Sequence, residues 1–200
     1  MFYLKFKRFY YCSNKFHNLY PLKNYGKVYA CNAMFRHFEP HYLVAVDVKM
    51  ILEINQAKWQ MENEVWTNPN KQFNGMQGFR YFQPSKGWSS GPTALWLAST
   101  HTHDTIYILG FDFHGELDEH GNRSKVNNLY AGTHNYKKQG DPATYFGNWE
   151  RQTASTCDAH QGKRFIRIVA DGDDFVPKQL KKCTNLSHIK VSEFKRYYDF

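Results

Sequence analysis

Long apolar runs and paired cysteines are both missing from this sequence of 200 residues. No stretch approaches the roughly 18 consecutive apolar residues that a membrane-spanning helix needs, and lysine and arginine interrupt the apolar start MFYLKFKRFYYC. The four cysteines lie far apart, without the close spacing of a zinc finger or a redox pair. We therefore expect a cytoplasmic protein with reduced thiols, without a membrane span or a signal peptide.

Acidic residues are scarce relative to basic ones, with 18 Asp and Glu against 26 Lys and Arg, which leaves a formal net charge of +8. The first 27 residues contain six of the basic residues and no acidic one. Clustered basic side chains gain affinity by releasing counterions from phosphates, so this excess favours an anionic ligand or surface, with nucleic acid as one alternative. A solvated basic face is an equally good interpretation.

Repeats, low-complexity tracts and linkers rich in Pro or Ser are absent as well, so nothing marks a domain boundary. A hydrophobic content of 42% over 200 residues suffices for one core of ordinary size. Residues 1–200 are therefore expected to form a single domain.

Aromatic and β-branched runs bounded by turn residues predict strands at 3–11, 27–31, 42–47, 105–113 and 164–169. Three of them contain the continuously apolar stretches VYAC, LVAV and IYIL, which are typical of strands covered on both faces. Helical patterns lie at 48–58, 92–102, 145–160 and 192–198, and the polar stretch 60–87 is expected to be loop with a short strand at 64–66. This alternation predicts an α/β fold with a doubly wound, mostly parallel Rossmann-like sheet and helices on both faces.

The segment SSGPTA at 89–94 has the pattern of a helix start. Pro92 suits the first helical position because its missing N–H would be unpaired there, and Gly91 or Ser90 suits the cap. Free backbone N–H groups at such a start can bind a phosphate or a carboxylate. An ordinary capped helix without a ligand is the alternative interpretation.

Polar residues follow three of the predicted strands. Gly110 interrupts the strand IYIL where a side chain would obstruct a ligand, and Asp112 follows it. Asn32 comes after VYAC and Asp47 after LVAV, so in a parallel sheet all three ends lie at one edge, where α/β proteins bind ligands. Asp112 there could accept hydrogen bonds from ribose or sugar hydroxyls, although capping of the next turn is equally consistent.

A long irregular segment, 115–141, follows this strand and is placed to act as a lid or an acceptor-binding loop. Its beginning is dense in potential metal ligands: Asp112, His114, Glu116, Asp118, Glu119 and His120. Gly115 and Gly121 mark the cluster as a turn, so a solvated loop is the preferred interpretation and we expect no metal site.

The motifs KVYACNAMF, SSGPTALWLA and IYILGFDF, in this order, resemble those of the bacterial sialyltransferases that use CMP-activated sialic acid and of the related motility-accessory-factor proteins. Later stretches, NNLYAGTHNYKK among them, resemble uncharacterised proteins of marine bacteriophages. A phage-encoded chain would act in the host cytoplasm. The similarity to the transferases covers only part of the chain, so it implies the fold more securely than the reaction.

The resemblance implies a metal-independent glycosyltransferase without a cofactor, in which a CMP-sugar is the donor and a glycan or another hydroxyl compound is the acceptor. Six residues would then bind the donor: Asn32 the nucleotide or the sugar, Ser90 and Gly91 the charged groups, and Gly110, Phe111 and Asp112 the cytidine. His134 would be the general base that takes the proton of the acceptor hydroxyl, because imidazole titrates near neutrality. The neighbouring Tyr130 and Tyr136 would alternatively bind phosphate.

One departure from the family concerns its opening turn, Gly-Asn-Gly-Pro-Ser, where this chain has YCSNKFH at 11–17. Asn14 keeps the asparagine and would contact the nucleotide, but both glycines that let the backbone approach the phosphate are missing. A second hypothesis follows, in which the chain is a non-catalytic accessory protein that kept the fold and binds a nucleotide or nucleic acid.

Overall fold

The computed structural model describes residues 2–4, 21–116 and 118–198. Within them the strands are β1 (Phe2–Leu4), β2 (Val28–Cys31), β3 (Tyr42–Val44), β4 (Val65–Thr67), β5 (Phe79–Tyr81), β6 (Thr105–Leu109), β7 (Arg164–Val169) and β8 (Leu186–Lys190). The α-helices are α1 (Leu22–Tyr25), α2 (Val48–Gln56), α3 (Ser90–Thr100), α4 (Gly147–Ala159) and α5 (Val191–Tyr197). The part of the predicted first strand beyond Leu4 lies outside the described residues.

The strands pair in the order β5-β4-β3-β2-β1-β6-β7-β8, and every pairing between them is parallel. β1 lies between the two halves, with Leu4 opposite Ala30 of β2 and Leu109 of β6. All carboxyl ends therefore reach one edge of the sheet, and the strand order reverses beside β1, which is where open α/β sheets form ligand sites. The predicted parallel, Rossmann-like α/β fold is confirmed.

Alternating side chains of the central strands pack into two separate cores. Val28 and Ala30 of β2 join a cluster with α2 and α5, whereas Tyr29 between them joins a cluster with α3 and α4. Successive residues of a strand point to opposite faces, so these helices cover both sides of the sheet. Nine of the eleven residues of α3 are buried, which explains why this helix is apolar or small on nearly all sides.

Several boundaries differ from the sequence-based prediction. α3 begins two residues earlier, with Ser89 as its cap in an extended conformation, and Pro92 occupies the third helical position, where its missing N–H is still harmless. β6 ends at Leu109 because Gly110 adopts a left-handed φ of 75° and turns the chain. The strands β5 and β8 were not predicted; they form the two edges of the sheet, where strands are short and carry a weak apolar pattern.

In the described part of the chain, no helix is long and apolar enough to cross a membrane.

Candidate functional site

A cavity of about 410 Å³ opens at the carboxyl edge of the sheet, within the size range of small-molecule sites, roughly 300–1,000 Å³. Its walls come from the residues that follow β2 and β3, the start of α3, the segment after β6 and the start of α4. The lining residues are Asn32, Asp47, residues 89–91, 126–128 and 135–137, Ala143, Thr144, Phe146 and Trp149.

The start of α3 presents backbone donors to this cavity. The Ser89 hydroxyl does not cap the helix; it accepts a hydrogen bond from Nε1 of Trp149 at 2.8 Å, while the Ser90 hydroxyl accepts one from the Val46 N–H at 3.0 Å. The N–H groups of Ser90 and Gly91 consequently have no acceptor among the described residues. N–H groups of a first helical turn point out of the helix end, so both can donate to an anion in the cavity.

Asn32 lines the same cavity. It follows β2, takes a left-handed φ of 54° and begins a short 3-10 helix, Asn32–Arg36. Asparagine tolerates this conformation better than most residues. Its side-chain Oδ1 is shielded from solvent and has no hydrogen-bond partner in the described part of the chain. A buried amide oxygen without a donor costs free energy, which a hydroxyl or amino group of a ligand would recover.

Asp47 lies between this cavity and a second one. It precedes α2 with its side chain exposed and not engaged in capping the helix. The adjoining cavity, of about 290 Å³, shares Asn32, Asp47, Asn135 and Tyr136 with the first and adds the first turn of α2, including Lys49. Asp47 is therefore common to the linings of both cavities.

An ion pair between Arg36 and Glu53 binds the loop that follows β6. Nε and NH2 of Arg36 donate to the two carboxylate oxygens of Glu53, each at 2.6 Å. The same guanidinium reaches the Thr133 hydroxyl and the His134 carbonyl oxygen, both at 2.9 Å. Asn135 completes the contact by donating to Glu53 at 2.7 Å. This group of residues, the Arg36 latch, holds the segment that forms the outer wall of the cavity.

Electrostatics and burial reinforce that contact. Burial works to raise the pKa of Glu53, but the hydrogen bonds from Arg36 and Asn135 outweigh it and leave that pKa below its usual value. The hydroxyl of Tyr136 accepts a hydrogen bond from the Ala33 N–H at 3.3 Å, and burial raises the pKa of Tyr136, so it remains a neutral phenol in the wall. Lys137, the next residue, adds a cationic side chain to the lining.

The predicted site residues fall into three groups. Asn32, Ser90 and Gly91 line the cavity together, whereas Gly110, Phe111, Asp112 and His134 do not line it. Asn14 lies outside the described residues. His134 is exposed, and its contact with the latch is made by its backbone carbonyl oxygen.

The turn at 110–112, directly after β6, is held by a buried arginine. Nε and NH2 of Arg167, a buried residue of β7, donate to the carbonyl oxygens of Phe111 and Asp112 at 2.6 and 3.2 Å. Phe111 itself is buried and packs edge-on against Phe113. The roles predicted for Gly110, Phe111 and Asp112 toward cytidine therefore stay predictions, attached to a turn whose backbone is well anchored.

The acidic and histidine-rich start of the loop is organised as a turn. The Asp118 carboxylate accepts hydrogen bonds from the N–H groups of His120 and Asn122 and from the Ser124 hydroxyl. His114 instead pairs through Nε2 with Asp173 at 2.8 Å. Asp118 therefore shapes the turn locally, whereas His114 ties the start of the loop to a residue 59 positions away.

Several lining residues escaped sequence reasoning. Phe146, the cap of α4, and Trp149 in its first turn line the cavity, as do residues 126–128 and 137 of the loop. The loop residues among them lie in the stretch NNLYAGTHNYKK, which is rich in Asn, Tyr and Lys, but this composition does not indicate what the segment packs against. No family model, curated protein or solved structure matches this chain.

Proposed function

We propose that the cavity binds a nucleotide-activated sugar, with a CMP-sugar as the first candidate, and that the protein transfers the sugar to an acceptor hydroxyl. The observation that carries the proposal is that Ser90 and Gly91, whose N–H groups have no acceptor among the described residues, line one cavity together with Asn32, whose Oδ1 has no donor among them. Such a set matches a ligand that combines an anion with hydroxyl or amino groups.

The donor's phosphate is assigned to the start of α3. Two N–H groups without an acceptor among the described residues, the positive end of the helix dipole and the Lys137 side chain in the cavity lining all favour negative charge there. Asn32 and Asp47 supply the acceptors for sugar or ribose hydroxyls at the strand ends. The aromatic side chains of Phe146 and Trp149 offer apolar surface to the rest of the ligand.

In the proposed reaction the acceptor oxygen attacks the anomeric carbon, and the bond from that carbon to the phosphate oxygen of the nucleotide breaks. The nucleotide leaves with the electron pair of that bond, and the hydroxyl proton passes to a general base. His134 is the base predicted from the sequence. Asp47 is a second candidate because it lines both cavities, in which the donor and the acceptor would lie side by side.

A non-catalytic nucleotide-binding protein is the second candidate function. One observation favours it: among the described residues, no histidine lines either cavity. In that case the anion-binding start of α3 would serve recognition alone, and the ligand would leave the site unchanged.

Ligand-dependent thermal stability separates these functions. We expect CMP and CMP-sialic acid to raise the melting temperature, because a ligand that binds only the folded state stabilises it in proportion to its occupancy. Single-stranded DNA should have no comparable effect. Chromatography of CMP-sialic acid incubated with the protein and sugar acceptors then detects transfer or hydrolysis. Stabilisation without turnover supports the non-catalytic candidate, and no stabilisation by any nucleotide refutes both.

Gly91→Val tests the assignment of the phosphate to α3. A branched side chain at the helix start obstructs the ligand, so we expect CMP binding to weaken at least tenfold, about 1.4 kcal/mol. The free energy of unfolding of the unliganded protein should fall by less than that. Gly162→Val is the matched control, because a side chain at Gly162 would meet open space. Equal losses of stability and affinity in Gly91→Val would mean that the glycine serves packing only.

A further inference from the structure

Two tryptophans form a corner around a lysine ammonium group on the surface beside α3. The rings of Trp88 and Trp96 stand at 89° to one another, with their centroids 5.6 Å apart. Nζ of Lys86 lies 3.4 Å from the centroid of Trp96 and 5.3 Å from that of Trp88. The ammonium group is thus flanked by two aromatic rings at once, within the distance at which ring quadrupoles attract cations.

Among the described residues, the two rings are the contacts that hold the ammonium group of Lys86. Lys86 is exposed, and among the described residues it makes no hydrogen bond or ion pair. The ring of Trp96 also contacts the ring of His160, with the centroids 4.8 Å apart and the planes at 70°, and Nδ1 of His160 is hydrogen-bonded to the Thr156 carbonyl oxygen. The corner is therefore a supported aromatic site that already contains a cation.

We propose that Trp88 and Trp96 form a binding site for a quaternary ammonium group, which Lys86 occupies in the absence of ligand. A primary ammonium is strongly hydrated and loses hydrogen bonds to water when it moves against an aromatic face. A methylated ammonium makes no such hydrogen bonds and presents apolar methyl groups to the rings, so it fits the corner better than the lysine does. Neither tryptophan lines the cavity at the strand ends, so this site is separate from the one in the proposed function.

The occupying lysine has a measurable consequence. A ligand must displace Lys86. Its apparent affinity therefore equals its affinity for the free corner multiplied by the fraction of molecules in which the corner is free. Removing the Lys86 side chain should therefore strengthen binding of an added cation. A lysine that served only to brace its loop would produce no such gain.

The test uses choline and its neutral isostere 3,3-dimethylbutanol as probes of the full chain. Titration is followed by the indole N–H resonances and the fluorescence of the tryptophans. We expect choline to shift the resonances of Trp88 and Trp96 in a saturable way, dimethylbutanol to bind at least about threefold more weakly, and Lys86→Ala to bind choline at least about threefold more tightly than wild type. Lys71→Ala, at another exposed lysine, is the matched control and should leave affinity unchanged.

Trp96→Ala should abolish choline binding, and Trp88→Ala provides the same test if Trp96→Ala fails to fold. Equal binding of the two probes would identify an apolar surface without preference for cations and would overturn the proposal. It is also overturned if choline binds neither wild type nor Lys86→Ala, or if Lys86→Ala binds choline no more tightly than wild type.

Discussion

Replacing Arg36 by methionine should detach the loop that walls the cavity. Arg36 makes four hydrogen bonds, two to Glu53 and one each to Thr133 and the His134 carbonyl oxygen. Methionine keeps much of the apolar length of the side chain but none of its donors. The substitution therefore removes the polar contacts that Arg36 makes in the latch, and among the described residues Asn135 remains as a hydrogen-bond donor to the Glu53 carboxylate.

The size of the effect follows from the burial of the pair. The side chains of Arg36 and Glu53 are 17% and 19% exposed, so the pair is intermediate between surface and buried ion pairs. Surface pairs contribute about 0–1 kcal/mol, and breaking a buried pair costs about 3–5 kcal/mol. We expect a loss of about 2–4 kcal/mol in the free energy of unfolding, or roughly 5–12 °C in melting temperature for a chain of this length. The contribution of Glu53 has a pH dependence: its pKa is lowered in the folded state, so the stabilisation is present above the unfolded pKa and disappears as pH falls through the folded one.

Urea unfolding and hydrogen exchange measure the two parts of this prediction. Amide exchange should accelerate in residues 130–137 far more than in β6, because the loop loses its anchors while the sheet does not. Arg80→Met, at an exposed arginine of β5, is the matched control and should change neither quantity. A stability loss below about 1 kcal/mol together with unchanged exchange in the loop would refute the latch.

Two further predictions concern histidines and the proposed base. Burial lowers the pKa of His188 to about 4 and also lowers the pKa of His101 and His103, so below about pH 6.5 the unfolded chain binds more protons than the folded one. The melting temperature should fall steadily from pH 7.5 to pH 5, and a constant value over that range would contradict these assignments. If the protein transfers sugar, removal of its base should lower turnover by roughly 100-fold or more with little change in donor affinity. His134→Ala and Asp47→Asn, compared side by side, identify the base as the residue whose replacement has this effect, and a near wild-type rate in either variant excludes that residue.

The part of the cavity formed by the strand ends and by the start of α3 was predictable from local sequence patterns. The apolar runs around Tyr29, Val44 and Ile108 indicated parallel strands, and parallel strands bring their following residues to one edge. That rule, together with the helix-start pattern at 89–94, is sufficient to predict from the sequence that Asn32 and Ser90 lie in one cavity. Both signals are short-range, since they depend on the periodicity of a strand and on the chemistry of the first turn of a helix.

The walls of the cavity and the placement of the segment after β6 required the tertiary structure. Arg36 meets Thr133 across 97 residues of chain, and Arg167 binds the Phe111 carbonyl oxygen across 56. In the sequence Arg167 is one charge in an apolar run, and nothing local shows that its guanidinium turns toward a neighbouring backbone. Periodicity and turn chemistry determine which elements form and where they end, whereas contacts between distant side chains depend on how those elements dock. The position of the loop against the rest of the cavity wall depends on such contacts.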